Sequence, residues 1–199
     1  MQPELLAALA AFAFVSSVTP GPNNVMLLAS GVNFGFRRTV PHMLGISFGH
    51  VLQVVLIGMG LAGLFLAWPP TRSVLQVLAA AYFLWLAWKI ANAAPPEPGR
   101  PGGRPMTALQ AAAFQWVNPK AWVMGLSAIS LYAPGQDLAA VAVVAAVFAV
   151  VNLPSVALWA GLGVILAQAL QSPHWRRRFN WTMAALLLAS LWPVLAQNP

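Results

Sequence analysis

From Leu5 to Phe36 the chain carries no charged residue. A helix needs about 20 predominantly apolar residues to cross a bilayer, so this stretch reads as membrane-spanning. The pattern recurs along the chain, with apolar blocks at 5–31, 40–67, 73–92, 107–131, 137–167 and 177–196. Of the 199 residues, 60% are hydrophobic and 7% charged, more apolar surface than one soluble core of this size hides. The expected fold is an all-α integral membrane protein of six transmembrane helices. Blocks one, two and five exceed a minimal span, so they are expected to tilt, break or enter the interface.

The few charges then set topology. Arg37 and Arg38 follow the first block; Lys89, Arg100 and Arg104 flank the third connection; Arg176, Arg177 and Arg178 precede the last block. These loops share one side, and only Arg72 lies in a loop opposite. The positive-inside rule puts the basic loops in the cytoplasm and both termini outside. The net charge of +7 is thereby explained without a nucleic-acid partner. Trp68, Trp88, Trp175, Trp181 and Trp192 lie near block ends, where indoles prefer the headgroup level, and His42 and His174 are expected there too. The start, Met1-Gln2-Pro3-Glu4, lacks the positive region of a cleavable signal, so the first helix is expected to be retained. The chain has no cysteine, which removes disulfides and thiolate metal sites.

Residues 93–105 read AAPPEPGRPGGRP, with too many prolines and glycines for regular structure. This linker divides the chain into repeats of three spans, 1–92 and 106–199. An odd number of spans per repeat forces opposite orientations, so similarity should link block one to four and two to five. Phe14–Pro20 aligns with Ala113–Pro119, matching Val18 to Val117 and Pro20 to Pro119. Gly58-x-Gly60 likewise has a counterpart in Gly161-x-Gly163. Inverted repeats with breaks at matching places put a binding site near the membrane midplane.

Both breaks are legible. Thr19-Pro20-Gly21-Pro22-Asn23-Asn24 contains two residues without a backbone donor around a glycine, and no regular helix passes through it. Carbonyls orphaned there cost several kcal/mol each (about 2–7) unless protein or water satisfies them. Thr19, Asn23 and Asn24 offer polar partners, and either asparagine could cap the resumed helix. A locally repaired proline kink is the competing reading. Asn118-Pro119-Lys120 breaks block four, with an ammonium at a depth where charge must face a cavity or snorkel to an interface. In the functional reading Lys120 neutralises a substrate carboxylate beside the amides of broken helix ends.

At these residues the sequence resembles the LysE/RhtB family of bacterial amino-acid exporters. The resemblance rests on TPGPN at Thr19–Asn23 and NPK at Asn118–Lys120, supported by Leu28-Ala29-Ser30-Gly31 and Gly35-Phe36-Arg37-Arg38, and it extends over the whole chain. It implies efflux of amino acids or close derivatives across the inner membrane, driven by a proton gradient or membrane potential, with no cofactor or bound metal. It also implies a homo-oligomer such as a dimer embedded in lipid. The substrate-binding residues it carries over are Thr19, Pro20, Gly21, Pro22, Asn23, Asn24, Asn118, Pro119 and Lys120.

One departure narrows the substrate. Several relatives place an acidic residue near Gly49 or His50, whereas Glu4, Glu97 and Asp137 here all lie at block ends or in loops. A cavity selecting lysine would want a buried carboxylate. The expected substrate is therefore a small neutral or apolar zwitterion. His50 is the deep group whose ordinary pKa lies near neutrality, a candidate for proton coupling or substrate contact; a structural histidine is the alternative. Asn152-Leu153-Pro154 is expected to interrupt block five, with Asn152 lining the cavity and Pro154 as hinge or ordinary membrane-helix proline. Gln53 and Gln115 read as interhelical bonds, and Gly58-x-Gly60-x-x-Gly63 as close helix packing. Other readings are an exporter of a different solute or metal ion, or an intramembrane enzyme, for which no Gly-x-Ser-x-Gly or HExxH motif is present.

Overall fold

A computed structural model describes residues 1–63, 67–68, 70–93 and 103–192. Most of the expected linker, 94–102, lies outside the described residues, as does the end of the sixth block. The described residues hold eight α-helices and no strand: α1 (Pro3–Val18), α2 (Pro22–Phe34), α3 (Phe36–Gly58), α4 (Pro70–Ala91), α5 (Ala108–Phe114), α6 (Pro119–Tyr132), α7 (Leu138–Ala169) and α8 (Pro173–Ala189). Five of them, α1, α2, α4, α6 and α8, have proline in the first turn, where its missing donor costs nothing.

Among the described residues, three helices are long and apolar enough to cross a membrane: α3, Ser73–Ala91 of α4, and α7. A fourth span arises if α1 and α2, bent by 55° at their break, count as one. The fourth block appears as the short α5 and the 14-residue α6. The sixth appears as α8, 17 residues long.

Two expectations need correction. Block two, 40–67, breaks as its excess length allows: α3 stops at Gly58, followed by a turn and a single 3₁₀ turn at Leu61–Gly63, so the glycine run Gly58-x-Gly60-x-x-Gly63 is not the helix-packing stripe expected. Gly60 has φ +96°, a conformation side chains disfavour, so it ends the helix and does not pack within it; Gly63 has open space around it. Only Gly58 of that run is pressed by neighbours, Val141 and Ile129. The Asn152-Leu153-Pro154 sequence does not interrupt α7, which is continuous over 32 residues. A lone proline costs a single ladder bond, and the Ser155 hydroxyl donates to Val151 O nearby (2.8 Å).

Packing follows an exchange between the halves. α1 and α2 lie against α7, while α5 and α6 lie against α3; α3 and α7 meet at the centre, and α4 meets α8. Small residues permit the close crossings: Gly31 faces Ala160 and Gly163 across the α2–α7 contact, and Gly45 and Gly49 of α3 face Ala108 and Ala112 of α5. Two buried apolar clusters result. One gathers Leu27, Phe83, Phe114 and Val156; the other gathers Leu9, Val54, Met124 and Phe148. Large apolar side chains such as Phe48, Val150 and Ile165 point outward, as a lipid-facing surface requires.

Candidate functional site

The break after α1 leaves four carbonyls without helical partners, and all four are satisfied. Val15 O accepts from the Thr19 amide (3.1 Å) and Ser16 O from the Thr19 hydroxyl (3.1 Å). Ser17 O accepts from Asn24 Nδ2 (2.9 Å) and Val18 O from Trp159 Nε1 of α7 (3.0 Å). Asn24 also donates to Thr19 O (2.7 Å). It therefore stitches the end of α1 and does not cap α2. The α2 N-cap is Gly21, which has no side chain to offer; Pro22 has no amide hydrogen, Val25 donates to Gly21 O (2.9 Å), and the Asn23 and Asn24 amides receive no side-chain cap.

Lys120 reaches across the halves to the same place. Its ammonium donates to Thr19 O (2.6 Å), Thr19 Oγ1 (3.0 Å) and Pro20 O (3.3 Å). Carbonyls at a helix C-terminus carry partial negative charge, so this end attracts a cation. The stem of Lys120 lies on Gly21: a Cβ built there would be 2.5 Å from Lys120 Cδ. Lys120 therefore does not snorkel along α6; it bridges to the first break.

The second break is built from side chains as well. Asn118 is buried and caps α6 by accepting from the Lys120 amide (3.2 Å), with Pro119 in the next position. Gln115 O accepts from Gln53 Nε2 (3.1 Å). The Gln115 side chain forms a reciprocal amide pair with Asn23, at 2.9 and 3.1 Å. The expected interhelical roles of Gln53 and Gln115 hold, and the pair ties one break directly to the other.

Between the breaks lies a narrow cavity of about 20 Å³, room for about one water molecule in this state. Of the residues anticipated as a site, Gly21, Asn23, Asn24, His50, Asn118, Lys120 and Asn152 line it; Thr19, Pro20, Pro22 and Pro119 are not in its lining. Asn152 accepts from Ser47 (3.0 Å) and donates to Ser17 (3.3 Å), joining α3, α7 and α1. His50 is fully buried, packs edge-on against Phe148 (4.9 Å), and both its ring nitrogens lack a hydrogen-bond partner among the described residues. The apolar lining includes Met124 and Val156, one from each buried cluster. Among the described residues the lining holds one cation and no carboxylate.

Sequence reasoning missed several contributors. Trp159 closes the end of α1 from a partner 141 residues away. Asn33 and Asn180 form a buried reciprocal pair (2.7 and 3.2 Å) between α2 and α8. His42, expected at the interface, is buried in the bundle instead. The only available signal was that a polar residue amid apolar neighbours needs a partner, which does not name the partner.

The LysE type translocator family model matches residues 14–191. The chain is 33% identical over 192 residues to the cysteine/O-acetylserine efflux protein of Salmonella typhimurium (strain LT2), covering 94% of this chain and 96% of that protein. It is 31% identical over 190 residues to the protein of the same description in Escherichia coli (strain K12), with the same shares covered. No solved structure matches. On the match across most of its length, the chain belongs to the LysE-type translocators, a family of multi-pass membrane transporters and not of enzymes.

Proposed function

We propose that this chain exports small zwitterionic amino acids from the cytoplasm, and that they bind between the two helix breaks when the narrow cavity there opens to admit them. The observation that carries the reading is the meeting of both breaks at one cavity, with a single ammonium and no carboxylate in its lining. An ammonium has three donors, and those of Lys120 are all engaged. A substrate carboxylate replaces the longest contact, to Pro20 O, and leaves the two Thr19 bonds holding the ammonium in place. The uncapped backbone amides of Asn23 and Asn24, residues of the same wall, add donors for that carboxylate.

Cysteine and O-acetylserine, named for the efflux relatives, are small, zwitterionic and uncharged in the side chain. A cavity lacking a carboxylate suits such a substrate and disfavours lysine or arginine. In the proposed architecture, six spans form two inverted repeats, 1–92 and 106–199. The exchange of packing partners, α1 and α2 on α7 against α5 and α6 on α3, supports it. So does the coincidence of the two breaks. The basic loops face the cytoplasm and the termini face outward, by the positive-inside bias. His50, buried in the cavity wall with open ring nitrogens, is the candidate for coupling to the proton gradient.

Efflux from proteoliposomes preloaded with a panel of amino acids tests this reading. Release of O-acetylserine, cysteine or another small neutral amino acid ahead of lysine and arginine is expected. Folded protein that moves none of the panel, or that prefers the basic amino acids, contradicts it.

A further inference from the structure

A second, larger space lies at the end of the bundle where α2 finishes, α3 begins and α4 ends, closed by Gly103–Met106. Its volume is about 220 Å³. Its walls are apolar, with Met26, Leu86, Ile90 and Met106 among them. Most of its polar groups already have partners. Ser30 is bonded to Thr39 (2.8 Å), Asn33 to Asn180, and Asn92 to Trp88 O (2.8 Å).

Three groups retain capacity. His42 lines the space, is 1% exposed, and neither of its ring nitrogens has a hydrogen-bond partner among the described residues. A buried imidazole left unmatched costs about 1–3 kcal/mol, which a bound group would recover. Lys89 places its ammonium over the Trp85 ring, 4.8 Å from the centroid, and Arg104 lies at the rim. Among the described residues the lining contains two full positive charges and no carboxylate.

We propose that this space is a second ligand site, for an anionic head carried on an apolar body. Lys89 and Arg104 hold the charge, His42 donates to the head, and the methionine and leucine walls take the body. The site is separate from the cavity between the breaks, although α2 lines both: Asn23 and Asn24 face one, Ser30 and Asn33 the other. Two sources carry this chemistry, a soluble amphipathic carboxylate and the head of an acidic phospholipid.

The chain contains only three histidines, so ring-labelled histidine gives an NMR spectrum that His→Gln variants assign. Full-length protein in uncharged detergent is titrated with butyrate in one arm and with phosphatidylglycerol, against phosphatidylcholine, in the other. The His42 signal is expected to move saturably in at least one arm, and which arm identifies the source. The Lys89→Gln/Arg104→Gln variant should weaken that response at least about tenfold, and Lys89→Arg/Arg104→Lys should restore it, since about 1.4 kcal/mol of lost charge attraction is tenfold. A His42 signal that stays still in both arms means a trapped water satisfies the ring, and overturns the proposal. Equal responses in wild type and the double glutamine variant overturn it too. Neither outcome bears on transport, so it fails or stands separately from the export reading.

Discussion

Gly21→Ala isolates the position of one ammonium. Gly21 has φ −179°, extended backbone that alanine adopts freely, so the substitution carries no conformational penalty of its own. Its cost is steric. The new Cβ would lie 2.5 Å from Lys120 Cδ and 3.1 Å from Nζ. Carbon atoms prefer about 3.5–4.0 Å, so the lysine stem must retreat by about 1 Å or more. Its bonds to Thr19 at 2.6 and 3.0 Å then stretch to the edge of hydrogen-bond range or past it. A bond to a charged group contributes about 1.5–3 kcal/mol, less where water reaches it, as it does here. A net loss of about 1.4 kcal/mol is a factor of ten in affinity, so the half-saturating substrate concentration should rise about tenfold. Concentration-dependent efflux from proteoliposomes measures this, with thermal unfolding as the control for folding. The same substitution made in a Lys120→Met chain should add nothing, because the clashing group has gone. Wild-type kinetics in Gly21→Ala, or additive losses in the double variant, would refute the role given to Lys120.

Three further outcomes are expected. Lys120→Met should insert and fold, because Thr19 O keeps its Asn24 bond, while transport falls about ten- to a hundredfold with the loss of one or more charge-assisted bonds; efflux at matched protein content checks it. A double-mutant cycle on Asn23→Ala and Gln115→Ala, read by thermal unfolding, should return a coupling of about 0.5–2 kcal/mol for their reciprocal amide pair. His50→Ala should flatten the pH dependence of efflux if the imidazole is the coupling group, and an unchanged profile would remove it from that role.

What the sequence discloses here is what local covalent chemistry decides. Pro20 and Pro22 have no amide proton whatever surrounds them, so the first break was visible, and Pro119 marked the second in the same way. Apolar run length likewise announced α3, α4 and α7. Partners far apart in sequence were not legible. Nothing near Lys120 points to Thr19, 101 residues earlier, and nothing near Val18 points to Trp159. Asn23 or Asn24 reads as a cap for α2, but α2 begins at Pro22 with Gly21 as its N-cap, so both asparagines lie inside the helix; Asn24 donates to the end of α1 and Asn23 pairs with Gln115. Gly58-x-Gly60 read as one packing motif, although φ at Gly60 makes it a helix stop, a property that spelling does not carry. His42 was assigned to the interface by its position near a block end; the packing of α2, α3 and α4 buries it.

The central claim is that residues from both halves line one cavity that the substrate occupies. The absence of native cysteine permits a direct test with single-cysteine variants at Ser16 and Met124, which line the cavity from α1 of the first half and α6 of the second. Each is exposed to a small thiosulfonate reagent in transporting vesicles, with and without a transported amino acid that lacks a thiol. Both positions should label, and substrate should slow labelling at both, with protection lost in the Lys120→Met background. Labelling at either position that is absent, or that substrate leaves unchanged, would contradict a shared binding cavity.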